Sequence, residues 1–332
     1  MWNNDKNTSL FIFDLCFASL LKVFLCSVLP LDINTDVAPI AMATNAEEFQ
    51  AAVDAILFQI VSNLPELRMD TIANEIVQEG ALLVGLQEVT LLKLNGVLFA
   101  DYGQLLVDKL AEKGLNYEVA IREENFQFAF NGRLITLSNM ILARVDVAAS
   151  ELIVSNQQAG TYRAMDVISG LPSPRGWVSV DCKIRGRQFR FVNTHLESSA
   201  VSFRTEQTLE LIASPALQGS TLPVVLVGDL NADVNNNSED EAALLLQDAG
   251  FVDAWVEVNG STDPGWTFGY DPNLQQPRPF FERIDYIMTR GDELTILDVS
   301  LVDSTISLPP GVDQPKHPSD HKGVVATLII SP

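Results

Sequence analysis

Residues 224–231 read Val224-Val225-Leu226-Val227-Gly228-Asp229-Leu230-Asn231. Four aliphatic residues in a row, too few for a helix and closed by glycine, describe a strand buried on both faces, which belongs inside a layered α/β protein. The run stops on an acid and an amide. The same order returns at Leu82-Leu83-Val84-Gly85-Leu86-Gln87-Glu88-Val89, where a short apolar run ends in Gln87 and Glu88. It returns again at Val192-Asn193-Thr194-His195, at Arg283-Ile284-Asp285-Tyr286 and at Ser319-Asp320-His321. Five such strand ends converging on one sheet edge would set Glu88, His195, Asp229, Asn231, Asp285, Asp320 and His321 around one cleft.

Taken singly, an acid after a strand is ordinarily a cap or turn residue. Taken together they say more, because a packed core gains nothing from many desolvated acids unless a cation or a reacting group compensates them. Only three histidines exist, His195, His317 and His321, and the cysteines Cys16, Cys26 and Cys182 are too few and scattered for a zinc cluster or a disulfide framework. Oxygen donors of this kind select a hard cation, magnesium or else manganese. Magnesium takes one or two carboxylates and leaves phosphate and water to complete its sphere, which points to phosphoryl chemistry.

Working outward, Asn45 and Glu48 form a helix start, followed by Phe49, Ala52, Val53, Ile56, Leu57 and Ile60 on one face. A second helix follows Pro65 and stops at Gly80, and a third covers 102–113. From Tyr117 the pattern turns to short strands, at 117–122, 126–130, 140–145, 151–154, 162–168, 177–184 and 188–193, the last two joined by an Arg185-Gly186-Arg187 turn. Helices at 203–212 and 239–250 and strands at 266–268, 283–289, 295–302 and 322–330 complete the chain. Residues 231–237 and 271–279 are loops.

With 332 residues, 47% of them apolar, the chain can bury a large core, and no composition shift after residue 45 marks a domain boundary. Residues 21–332 therefore read as one domain behind an N-terminal segment, 1–20. The apolar stretch 9–30 is long enough to span a bilayer but contains Asp14 and Lys22. It is an imperfect export signal, a weak anchor or, over 21–29, a buried first strand, which leaves localisation open between export and cytoplasm. Acids outnumber bases 43 to 21, a net charge of −22, and this field repels phosphate backbones, so tight nucleic-acid binding is not expected.

The ordered set of five segments resembles the endonuclease/exonuclease/phosphatase superfamily, the deoxyribonuclease-I-like metal-dependent phosphoesterases, over everything after about residue 20 of the chain. The resemblance implies an α+β fold, a two-layer β-sandwich flanked by helices in four layers (αββα). It implies a magnesium-dependent phosphoesterase, of the phosphodiesterase kind, working by in-line attack of water. Glu88 matches the main metal carboxylate and Asp320 lies beside it. Asp229 and Asn231 would position water and phosphate, Asp285 would fix the tautomer of the catalytic His321, and His195 would assist at the phosphoryl group. One departure stands out: the family's first-strand Asn is missing, Pro30 occupies about its place, and Asn34 or Asp32 would have to substitute. Asn139 and Glu123 are candidates for a supporting contact, and His317 reads as a loop residue.

The shared core does not choose the substrate. The loop 263–281 carries Trp266, Phe268, Tyr270, Phe280 and Phe281, which either pack the loop down or receive a base, sugar or headgroup. Trp266, Arg283 and Asn34 are the substrate-binding candidates. The partner expected is a phosphoester, from a nucleic acid, a lipid headgroup or a small phosphodiester, acted on by a monomer, with membrane contact left open. A catalytically silent binding protein of the same fold and a non-specific endonuclease are the alternatives.

Overall fold

Side chains alternate across a strand, and in β1 (Ser19–Ser27) both faces are apolar: Leu21, Val23 and Leu25 turn one way, Phe24 and Cys26 the other, all buried. A strand of this composition must lie in the middle of a sheet covered on both sides. In the computed structural model, which describes residues 19–27, 42–148, 151–168, 171–218, 220–233, 241–270, 274, 277–312 and 316–331, β1 does so. It pairs in parallel with β2 (Leu83–Leu94) and antiparallel with β17 (Gly323–Ile330). Of the three readings of the N-terminal stretch, residues 19–27 take the strand, two residues earlier than 21–29; Val28 and Leu29, like residues 1–18, Pro30, Asp32 and Asn34, lie outside the described residues. No helix among the described residues is long and apolar enough to cross a membrane.

The first sheet runs β16 (Leu294–Val302), β17, β1, β2, β5 (Arg133–Arg144), β4 (Tyr117–Phe130), with β3 (Val97–Asp101) added on β2. The second runs β12 (Val252–Asp253), β15 (Asp285–Arg290), β11 (Val224–Asp229), β10 (Arg187–His195), β9 (Gly176–Ile184), β6 (Ile153–Thr161). Two ribbons stand apart, β7 with β8 (Asp166–Ile168, Leu171–Ser173) and β13 with β14 (Phe268–Tyr270, Pro277–Glu282). Three cores separate four layers. Leu21, Val23 and Leu25 meet Phe189, Phe191, Val225 and Val227 between the sheets. Phe24 and Cys26 pack under α1 (Ala46–Ser62), α2 (Pro65–Glu79) and α3 (Tyr102–Glu112). Val224 and Leu226 pack under α4 (Val201–Ala213) and α5 (Ala242–Asp248), while α6 (Ala254–Asn259) sends Ala254 into the inter-sheet core. The fold is the expected α+β sandwich flanked by helices.

Several boundaries differ from the sequence reading for physical reasons. The strand expected at 140–145 begins at Arg133, because Thr136, Ser138 and Asn139 are buried polar residues that interrupt the apolar signal. The strands at 117–122 and 126–130 are one strand, β4, with register shifts that absorb the polar residues between them. β3 escaped notice because Val97, Leu98 and Phe99 are exposed and follow no alternation. Helix α1 starts as expected: Asn45 Oδ1 accepts from the amides of Glu47 and Glu48, and Glu48 reaches back to Thr44.

Where the sheets approach most tightly, glycine is required. A Cβ on Gly85 of β2 would fall 2.5 Å from Val227 Cγ2 of β11. Overpacking of this kind costs about 1–3 kcal/mol, so Gly85→Ala lowers the urea midpoint with an unchanged slope. Adding Val227→Ala then recovers part of the loss, and an independent, additive second loss would refute the contact.

Candidate active site

Parallel pairing of β10 with β11 sets His195 opposite Asp229, and antiparallel pairing of β11 with β15 sets Asp229 opposite Asp285. Three of the expected residues thus stand side by side on one sheet edge by register alone. His321, just before β17, closes the row: its Nδ1 lies 2.8 Å from Asp285 Oδ2 and its Nε2 4.0 Å from Asp229 Oδ2. Donor atoms of Asp229, Asp285 and His321 all fall within 4.8 Å of one another.

Glu88 arrives by a distortion of β2. Leu86 pairs with Met140 and Val89 with Ser138, so Gln87 and Glu88 together oppose one residue, Asn139. This bulge turns Glu88 into the left-handed region, φ +56, a conformation that costs a non-glycine residue about 1–2 kcal/mol and re-aims its carboxylate. Asn231 has φ +50, which asparagine tolerates, and its amide N–H donates to Asp229 Oδ1 at 2.8 Å. Asn231 Nδ2 donates to Leu196 O at 2.9 Å and lies 3.1 Å from His195 Nε2. Tyr286 Oη donates to Ala232 O at 2.7 Å, tying the loop after Asn231 to β15.

The two active-site histidines differ in charge. For His321, burial opposes protonation, but the Asp285 carboxylate, its hydrogen bond, Asp320 and Asp229 outweigh it and hold the ring well above the usual imidazole range. For His195, burial, the Arg175 guanidinium and His321 all act against protonation and hold it well below. At neutral pH the edge therefore carries one imidazolium and one neutral imidazole. Burial, with Asp285 next, raises the Asp229 carboxyl. Burial pushes Glu88 up to about 8, Arg175 pulls it down, and Asp320 and Asp229 add to the rise. Asp320 is buried beside them, likewise raised by burial, and accepts from Ser319 Oγ at 3.3 Å.

Four residues escaped the sequence reading. Arg175, in the turn before β9, lies 3.8 Å from Glu88 Oε1 and 3.2 Å from His195 Nδ1. A lone arginine after proline carries no periodic signal, and arginines further along the chain pair elsewhere: Arg185 with Glu151 and Arg190 with Asp181. Glu197, wholly buried, lies 3.7 Å from Arg175 Nη2. Asn125 accepts from Asn139 Nδ2 at 3.2 Å, and the same amide group holds Gly176 O at 2.8 Å, so Asn139 tethers the turn. Arg68 of α2, wholly buried, donates from Nε to Pro318 O at 2.7 Å and anchors the Ser319-Asp320-His321 segment.

One expectation needs correction. Arg283 is not free for substrate: it is 2% exposed, its Nη2 lies 2.8 Å from Asp253 Oδ2, and its guanidinium stacks over Tyr286 at 4.5 Å. Trp266 stands 39% exposed on the loop before β13, and Phe268, two residues on, has its ring centroid 4.9 Å from that of His321. His317 lies 3.6 Å from Asp303.

These residues suit a hard divalent ion. Glu88, Asp229 and Asp320 are carboxyls whose affinity for protons burial raises, Glu88 being raised further by the other two and Asp229 by Asp285, and a cation among oxygens relieves the same strain. The sign for stability follows from Glu88. Its value rises from 4.5 unfolded to about 8 folded, so the stability it contributes is complete below the lower value and is lost as pH rises through the upper one. The metal-free protein should therefore melt at a lower temperature at pH 9 than at pH 6, and saturating magnesium should shrink that difference. Equal pH dependence with and without magnesium would contradict a cation at Glu88.

A sequence model of the Endonuclease/Exonuclease/phosphatase family matches residues 54–321. No curated protein matches the chain. Among solved structures, an endonuclease/exonuclease/phosphatase family protein from Bacteroides thetaiotaomicron is similar with a TM-score of 0.62 at 16% identity, over 95% of this chain and 99% of that one. A mannosyl-6-phosphatase from Bacteroides thetaiotaomicron gives 0.59 at 17%, over 93% and 99%. D. rerio TDP2 complexed with single strand DNA product gives 0.58 at 18%, over 93% and 99%. With most of its length matched and the family's residues gathered from both sheets at one site, the chain belongs to the endonuclease/exonuclease/phosphatase family, hydrolases that act on phosphoester bonds.

Proposed function

We propose that the protein is a magnesium-dependent phosphodiesterase that hydrolyses P–O bonds by in-line attack of water. The observation that carries the reading is the row His195–Asp229–Asp285 in strand register, with His321 charged at its end. Each feature answers a need of the reaction. Asp229, a carboxyl raised by burial, is a stronger base than an exposed aspartate and takes a proton from the attacking water. Asn231, whose side-chain amide is fixed on Leu196 O, orients that water and a phosphoryl oxygen. The His321 imidazolium, locked at Nδ1 by Asp285, presents Nε2–H to the charge that develops in the transition state. Neutral His195 offers a hydrogen bond to the phosphoryl group without repelling the cation. A divalent cation held by Glu88 and Asp320 supplies neutralisation of the phosphoryl oxygens when bound.

The substrate class follows from charge. With a net charge of −22, the enzyme has no long-range pull on a polyanion, so a small phosphodiester or a single headgroup suits it better than duplex DNA. A panel of aryl phosphodiester, DNA, RNA, sphingomyelin and inositol phosphates at fixed magnesium tests this. Turnover of the small diesters above the polymers, abolished by EDTA, is the expected result. Hydrolysis of DNA above every small ester would overturn the substrate class, and no turnover of any ester would leave a silent binding protein of the same fold.

A further inference from the structure

We propose that Asn193 and Gln87 form a polar bolt between the two sheets, and that this bolt places the Glu88 carboxylate against the residues of the second sheet. Both are positioning residues. That Glu88 then receives a cation rests on the reading above; the bolt itself does not.

Alternation along β10 turns Phe189, Phe191 and Asn193 to the same side, and the two phenylalanines belong to the apolar core between the sheets. An amide wholly buried among such neighbours is costly unless its polar atoms are met. Asn193 meets them by reaching into the other sheet. Its Nδ2 donates to Leu86 O of β2 at 2.9 Å and to Met140 O of β5 at 3.1 Å, and its Oδ1 accepts from Gln87 Nε2 of β2. With both Nδ2 protons spent on carbonyls, only Oδ1 is left for Gln87, so the network fixes the orientation of both amides. A Cβ on Gly85 would fall 3.3 Å from Asn193 Cγ, so glycine there gives the amide its room.

Where the bolt lands decides what it does. Leu86 and Met140 are the last regular pair before the bulge that turns Glu88 to φ +56. Gln87 and Glu88 oppose a single residue in that bulge, and the ladder between β2 and β5 does not by itself say which of the two turns inward. Asn193 settles it by pinning Gln87 between the sheets, which leaves Glu88 to face the site. Asn193 also precedes His195 by two residues on the same face of β10, so one short stretch of chain connects the bolt to the second-sheet row. Apolar packing between the sheets is non-directional, whereas these hydrogen bonds fix one sheet against the other. Among the described residues Gln87 Oε1 is buried without a hydrogen bond. An apolar pair of the same shape would spare the fold that cost, so stability alone does not account for the pair.

Hydrogen exchange and calorimetry on the full chain test the bolt, with Asn193→Leu removing its donors at similar volume. In the metal-free variant, exchange should quicken about 10-fold or more at residues 84–90 and 138–141, while β6, β12 and β16 keep wild-type rates. Magnesium should bind about 10–100-fold more weakly, the loss typical when a partner behind a metal ligand is removed. Gln87→Met, which keeps both carbonyl bonds, should show the same two changes at smaller size, and it decides the matter should the leucine variant not fold. Exchange that quickens equally through both sheets overturns the proposal, as does a folded variant that binds magnesium as tightly as a magnesium-binding wild type. Should the wild type bind no magnesium, quickening confined to 84–90 and 138–141 supports the bolt and defeats the cation reading instead.

Discussion

Asp285→Asn should lower kcat for an aryl phosphodiester by about 10³–10⁴-fold, the scale reached when the carboxylate behind a catalytic histidine becomes an amide. The reason lies in the balance at His321. Burial alone would make the ring neutral, and Asp285, at 2.8 Å from Nδ1, is the foremost group that reverses this. An amide can accept the hydrogen bond but supplies no charge. His321 then loses its proton at lower pH, and the activity that depends on the imidazolium disappears earlier as pH rises. The alkaline limb of the rate profile should move to lower pH, while magnesium affinity stays close to the wild-type value. A lower plateau with an unmoved limb would mean that Asp285 only supports the fold.

Glu88→Gln should separate function from stability. Loss of the carboxylate should weaken magnesium binding and reduce turnover at fixed magnesium by about 10²–10³-fold, as expected when one hard ligand of a cation is removed. The same change removes a carboxyl that burial pushes up to about 8, so above that pH the metal-free variant should melt at a higher temperature than the metal-free wild type. The left-handed backbone at Glu88 remains strained in the variant, which isolates the charge from the conformation. A variant that is less stable than wild type at pH 9 without metal would show that the carboxylate is compensated by something in the protein itself.

The legible parts of the sequence were those where burial on both faces writes an unbroken apolar run. β11 and the first half of β2 are legible from such runs, and the acids that close those runs, Asp229 and Glu88, come from the two sheets to one site. β1 was ambiguous for the same reason: an export signal and a strand buried on both faces have similar composition and no periodicity. β5 was shortened because it buries Thr136, Ser138 and Asn139, polar residues whose partners come from distant strands. The misreading of Arg283 has a similar origin. Its place beside Ile284-Asp285 suggested the cleft, but its counter-ion, Asp253, lies 30 residues earlier and was not deducible from the local pattern. Arg175 and Glu197 went unseen because their meaning is wholly tertiary: each is an ordinary polar residue until strand register brings them to within 3.7 Å.

The central claim is that Glu88, His195, Asp229, Asn231, Asp285 and His321 act as one cation-dependent site for phosphoester hydrolysis. A magnesium titration of aryl phosphodiester hydrolysis, run in parallel on the wild type and Glu88→Gln, tests it most directly. The account predicts saturable activation of the wild type by magnesium, with the curve of the variant displaced to much higher concentration and its ceiling lowered. Turnover that is indifferent to magnesium, or the same curve for both proteins, would contradict it.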